Sequence, residues 1–212
     1  MTVARATGTT AATLVDTWVP RLEGRNAVLA RDVLLIVAGA ALTALGAQIA
    51  FTVGDNPVPY TLQTAAVLLT GTALGAGRGF ASMTLYLAVG ALGFGVFAEG
   101  QSGLFYDDGG IKVTIGYLIA FVVAAAMCGR LAQRQWDRTR TGAGLLMLLG
   151  TFVIYLIGVP ILAVLADMTF SDAVYYGAIV FLPWDLAKVL VATFHSNWIL
   201  RGQSSPISEA PR

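Results

Sequence analysis

The chain has 212 residues, of which 57% are hydrophobic and only 12% charged, with a mean hydropathy of +0.74. Soluble domains carry about a quarter charged residues, so this composition excludes an ordinary water-soluble globule and places the chain among membrane proteins. A formal net charge of +1 gives no polyelectrolyte footing for nucleic acid, and the single cysteine, Cys128, cannot close an internal disulfide and is read as a packing residue.

A bilayer core needs about 17–25 apolar residues per helix. Residues 1–26 are polar and mixed, and the first apolar run is too long for an h-region, so no cleavable signal peptide is expected. That run, 33–53, has no charge and ends at the turn formers Gly54-Asp55-Asn56-Pro57. A second run covers 62–76 and stops at a tight glycine-rich turn, Gly77-Arg78-Gly79. The third covers 80–97 and is followed by a polar loop over 99–110; the fourth covers 113–131 and the fifth 145–166. Residues 173–182 are apolar but run into Pro183. Proline suits the first turn of a helix and disrupts its interior. Residues 173–181 are therefore read as a short lid or interfacial helix and 183–200 as the sixth span, against the rival of one long kinked helix. The expected fold is an all-α integral membrane bundle of six transmembrane helices. A segment 1–32 precedes the membrane domain 33–200, and a tail 201–212 follows it.

Arginine placement supports this count. With six spans, one set of loops and helix ends holds Arg5, Arg21, Arg25, Arg31, Arg78, Arg130, Arg134, Arg138, Arg140, Arg201 and Arg212, which is every arginine in the chain. The opposite side holds Asp55, Glu99, Asp107, Asp108, Asp167 and Asp172, with Lys112 its only base. The positive-inside rule then puts both termini in the cytoplasm. Small residues in the first span (Ala40 and Ala44, Thr43 and Ala47, Gly46 and Ala50) let backbones approach closely. They serve either packing within the bundle or docking of another membrane subunit.

Charges inside a membrane are costly and usually functional. Asp185 and Lys188, in Pro183-Trp184-Asp185-Leu186-Ala187-Lys188, are three residues apart and share a helix face. If Pro183 opens the helix, Asp185 lies in its first turn, near the positive end of the helix dipole. A structural ion pair is one reading; a solute site at the outer mouth of the bundle is the preferred one. Thr61 and Gln63 open the second span on the same side, Tyr86 lies in the third and Tyr117 near the start of the fourth. Tyr60 is read as an interfacial belt anchor. Tyr86 is too deep for that and serves either the site or a hydrogen bond within the bundle. Phe97, Phe105 and Tyr106 flank the third loop and either wall an apolar pocket or anchor the loop. His195, beside Ser196, is about 15 Å along a helix from Asp185, too far for Asp185 to orient its ring, so catalysis there is not expected. HExxH, GxSxG and P-loop patterns are absent from the sequence, so any ATP hydrolysis must come from a partner chain.

These residues carry a family resemblance. Val58-Pro59-Tyr60-Thr61-Leu62-Gln63-Thr64, then Leu69-Thr70-Gly71, Leu74-Gly75 and Gly79, are similar to the BioY family. Leu85-Tyr86-Leu87-Ala88-Val89-Gly90 running to Gly93 and Val96-Phe97-Ala98, Gly116-Tyr117-Leu118-Ile119, and Phe181 to Lys188 continue the pattern, which covers about residues 33–200. Members of that family are biotin-specific S components of energy-coupling factor transporters. The resemblance implies a six-helix bundle in a bacterial cell membrane that binds biotin near the outer face, under the loops after spans one and three. It implies a transmembrane coupling protein and two cytoplasmic ATPases as partners, no cofactor, and docking of the coupling protein on Ala40 and Ala44. It leaves two alternatives: an S component for another vitamin, or a biotin transporter working alone. Two positions depart from the family pattern: Gly95 stands where proline is usual, and Trp184 where glycine is common before the aspartate. Asp185 would accept from the ureido N–H groups, Gln63 or a tyrosine would donate to the ureido carbonyl, and Phe97 and Trp184 would wall the ring and tail. Lys188 would meet the valerate carboxylate or else hold Asp185.

Overall fold

The computed structural model describes residues 13–19 and 23–190. His195, Ser196, the terminal arginines and the far end of the sixth expected span lie outside the described residues. The helices in chain order are α1 (Leu14–Trp18), α2 (Arg25–Gln48), α3 (Gln63–Leu74), α4 (Ala76–Ala91), α5 (Ile115–Ala132), α6 (Arg140–Leu165), α7 (Phe170–Gly177) and α8 (182–190). One antiparallel ribbon, β1 (Ala50–Phe51) with β2 (Tyr60–Thr61), joins α2 to α3 and, with an isolated antiparallel bridge between Phe105 and Ile111, departs from an all-α fold. Among the described residues, four helical stretches are long and apolar enough to cross a membrane: α2, α5, α6 and the run Phe170–Leu190 that α7 and α8 form together. At 12 and 16 residues, α3 and α4 are shorter, about 18 and 24 Å at 1.5 Å per residue.

Helix α5 packs against α3, α4 and α6. Its most apolar window is 56% buried, against 22% for α2, so it forms the centre of the bundle. Ala120, Ala124, Ala125 and Cys128 carry that burial, all fully enclosed; small side chains let three helices approach one axis. Cys128 is a packing residue, as its apolar setting predicts. The outer surface is apolar: Leu34 and Leu45 on α2 and Phe152, Leu156 and Val164 on α6 are exposed, a surface suited to hydrocarbon.

Several expected boundaries shift. The first span starts at Arg25, not 33, so the 32/33 boundary falls inside a helix. The helix runs through Arg31 and Asp32 because their charges are matched. Arg31 lies 3.2 Å from Asp16 of α1, and Arg78 of α4 reaches Asp16 at 3.0 Å and Asp32 at 2.9 Å. Burial raises the Asp16 carboxyl, but hydrogen bonds from Arg78, Thr13 and Arg31 outweigh it and hold the group at about 2. The same span ends at Gln48, not 53, because the backbone of Ala50–Phe51 pairs with β2 instead of continuing the helix. The turn expected at 77–79 falls two residues earlier, at Gly75, whose φ of +84° favours glycine; Arg78 is inside α4.

The row on α2 faces inward. Ala40 is 8% exposed, Thr43, Gly46 and Ala47 are buried, and Ala44 is half-buried against the core, so this row packs within the bundle. Larger apolar side chains, Val33, Leu34, Val37, Leu42 and Leu45, cover the outside of this helix. Tyr60 is not a belt anchor either. Its ring stacks on Phe51 at 5.1 Å, meets Phe181 at 4.5 Å, and its hydroxyl donates to the Val180 carbonyl. Near the end of the described chain the helix breaks at Ala178, and α8 begins at 182 with Pro183 in its first turn, where a missing N–H leaves no bond unmade.

Candidate substrate cavity

Because Pro183 opens α8, Asp185 falls in its first turn and turns inward, 5% exposed. Lys188, one turn on, places its Nζ 2.5 Å from Asp185 Oδ1. The Tyr155 hydroxyl of α6 donates to the other carboxylate oxygen. The Lys188 ammonium also donates to Thr64 Oγ1 at 2.5 Å and to the Thr61 carbonyl at 3.3 Å, so α3, α6 and α8 are tied together by one polar cluster. The indole N–H of Trp184 reaches the same carbonyl at 3.2 Å, and its ring meets Phe51 edge-on, so this residue is held over the site instead of facing lipid.

The cluster borders a cavity of about 230 Å³. Thr61, Thr64, Gln63, Tyr155, Trp184, Asp185 and Lys188 contribute polar groups to its lining; Phe97, Tyr117, Leu118, Phe121 and Phe181 contribute apolar wall. Two walls depend on glycines. A Cβ on Gly90 would lie 2.1 Å from the Phe97 ring, and one on Gly158 would lie 2.6 Å from that of Tyr117. These glycines are the seats into which the two rings fit. The Tyr117 hydroxyl donates to the Gly177 carbonyl at 2.8 Å, fixing α5 to α7.

Connections between helices cover the cavity. Segment 104–112 forms a hairpin in which Phe105 bridges to Ile111, Tyr106 N–H bonds the Gly110 carbonyl at 2.7 Å and Lys112 N–H bonds the Leu104 carbonyl at 2.9 Å. Thr52 donates to Glu99, and Asn56 donates to the Tyr176 carbonyl, so the connections after α2 and α4 and helix α7 are joined. Thr52, Asn56, Glu99, Gln101, Tyr106 and Lys112 all line the cavity. Phe105, by contrast, is 60% exposed and anchors the hairpin.

Of the eight residues expected at a site, Asp185, Lys188, Gln63, Tyr117, Phe97, Thr61 and Trp184 line this one space. Tyr86 stands one layer behind. Its hydroxyl accepts from Gln63 Nε2 at 2.8 Å and donates to the Val96 carbonyl at 3.0 Å, while its ring meets Phe97 edge-on, so it positions two lining residues. Sequence reasoning missed Tyr155, and the available signal was a lone hydroxyl within Phe152-Val153-Ile154-Tyr155-Leu156-Ile157, a run otherwise too apolar to need one. It also left Lys112 and Thr64 without a role.

A helical multi-pass membrane protein that encloses a small cavity, apolar in its walls and with a buried acid–base pair in its lining, belongs to the class of membrane solute-binding proteins. Its sequence and fold have relatives. A probable biotin transporter BioY of Pyrococcus horikoshii is 39% identical over 163 residues, 77% of this chain and 92% of its own length. The biotin transporter BioY of Rhizobium etli is 30% identical over 180 residues, 81% of this chain and 94% of its own. The crystal structure of the S-component for biotin from an ECF-type ABC transporter has the same fold, with a TM-score of 0.72 over 86% of this chain and 96% of that one, at 21% identity. The BioY family profile matches residues 15–203, and the chain belongs to the BioY family, a family of transporters.

Proposed function

We propose that this chain is the biotin-binding S component of an energy-coupling factor uptake transporter in a bacterial cell membrane. The observation that carries the proposal is the Tyr155–Asp185–Lys188 cluster, buried beside an apolar-walled cavity in a chain of the BioY family. A ureido ring presents two N–H donors and one carbonyl acceptor. Asp185 accepts from the N–H groups, and Tyr155 and Lys188 hold its carboxylate in place from behind. Gln63, with one amide N–H held by Tyr86, keeps its remaining polar valences for the ring. Phe97, Phe121 and Trp184 take up the apolar bicycle and chain. In this reading six helices cross the membrane, with both termini in the cytoplasm and the cavity opening outward. A transmembrane coupling protein and two ATPases supply the energy, since the sequence carries no P-loop of its own.

The test is equilibrium binding of labelled biotin to the purified chain in detergent, competed with unlabelled biotin, thiamine and riboflavin. Displacement by biotin alone is the expected result. Displacement by thiamine or riboflavin instead would assign the cavity to another vitamin, and absence of binding in a well-folded sample would overturn the proposal.

A further inference from the structure

Among the described residues, four charged side chains line the cavity: Glu99, Lys112, Asp185 and Lys188. Asp185 and Lys188 neutralise one another at 2.5 Å, and the three donors of the Lys188 ammonium are matched by Asp185, Thr64 and the Thr61 carbonyl. This lysine serves the ion pair and has no N–H left to offer an anion. Lys112 differs. Its Nζ donates to the Ser102 carbonyl at 2.8 Å and to Gln101 Oε1 at 3.5 Å, both neutral acceptors, and lies 5.8 Å from the centroid of the Tyr106 ring. Among the described residues no carboxylate lies within ion-pairing reach of it. Glu99, the other unpaired lining charge, is exposed and accepts from the Thr52 hydroxyl. The 104–112 hairpin bonds hold the Lys112 backbone, so its ammonium is directed by the fold and not merely tethered by a long side chain. A half-buried cation with neutral partners and a spare donor is the feature of this cavity that favours an anionic ligand end.

From this geometry we infer that Lys112 binds the carboxylate of the substrate and sets selectivity for the acid over its neutral derivatives. The inference rests on the proposed function and divides the ligand between two places: the polar ring at Asp185 on α8, and the acidic tail at the connection preceding α5. Lys188 then has no direct part in carboxylate recognition.

The test compares biotin with biotin amide, which keeps the ring and loses the negative charge, on the full chain in detergent. The unaltered chain should bind biotin more tightly than the amide. Lys112→Gln should lower biotin affinity about tenfold or more while leaving amide affinity unchanged, so that the preference disappears. Lys112→Arg keeps the charge and should retain the preference, which guards against a folding defect in the glutamine variant. Equal losses for both ligands would make Lys112 a loop-holding residue, and no loss for biotin would remove it from the site; either result overturns the inference. If the unaltered chain binds neither ligand, the proposed function fails first and takes this inference with it.

Discussion

Two regions of this molecule hold acids against bases away from full solvent exposure, and they are built for different ends. At the arginine-rich end, Asp16 and Asp32 are shared by Arg31 and Arg78, and the pairs lie against helices, outside the lining of the cavity. At the other end, Asp185 is held by Tyr155 and Lys188 and borders open space. A buried ion pair is therefore not a functional signature by itself. Buried pairs of either kind are expensive to assemble and damaging to break. What separates them is whether the acid has somewhere to meet a ligand.

Substitutions sharpen this contrast, and the largest effect is expected at Asp185. Asp185→Asn should weaken biotin binding at least tenfold, since a charge-assisted hydrogen bond contributes about 1.5–3 kcal/mol. Isothermal titration of the purified variant measures it, and unchanged affinity would make the α8 pair structural, like its counterpart. Tyr155→Phe should be milder. It removes the hydroxyl that orients Asp185 while sparing the ring, so a loss of about fivefold is expected, on the order of 1 kcal/mol. A fall as large as that of Asp185→Asn would place Tyr155 in direct contact with ligand. Asp16→Asn should leave the binding constant unchanged and lower stability by on the order of 1 kcal/mol, read as a lower thermal midpoint in detergent. The pH dependence has a definite sign. The folded-state pKa of Asp16, about 2, is below its ordinary value of 3.8, so its contribution is fully present above pH 4 and is lost as pH falls toward 2. The unaltered chain should lose that increment in this window and Asp16→Asn should not. Equal acid sensitivity would show that Asp16 is not held as the geometry indicates.

Much of the membrane character was legible in the chain. Runs free of charge announce helices because the bilayer core tolerates little else, and proline before Asp185 announces a helix start because only the first turn leaves its missing N–H without cost. The motif stretches 58–64 and 181–188 pointed to residues that do line one cavity. The same reasoning failed wherever the outcome depended on what lay opposite. Ala40 and Ala44 read equally well as a packing row or an outer face, because small residues serve close approach on any side; only the placement of α3 and α4 turned them inward. Tyr60 has the composition of a belt residue, and only the neighbouring Phe51, Phe181 and Val180 carbonyl took it into the fold.

By itself, then, the sequence determined the solvent in which this protein lives, most of its helices and the two charges that had to be buried, because each of these follows from local composition and the cost of exposing polar groups to lipid. The tertiary structure alone decided that Tyr155 from α6 meets Asp185 from α8, that Tyr86 stands behind Gln63, and that Lys112 joins the cavity with neutral partners. Those facts depend on contacts between residues far apart in the chain, and no local pattern encodes which side chain will stand across the gap.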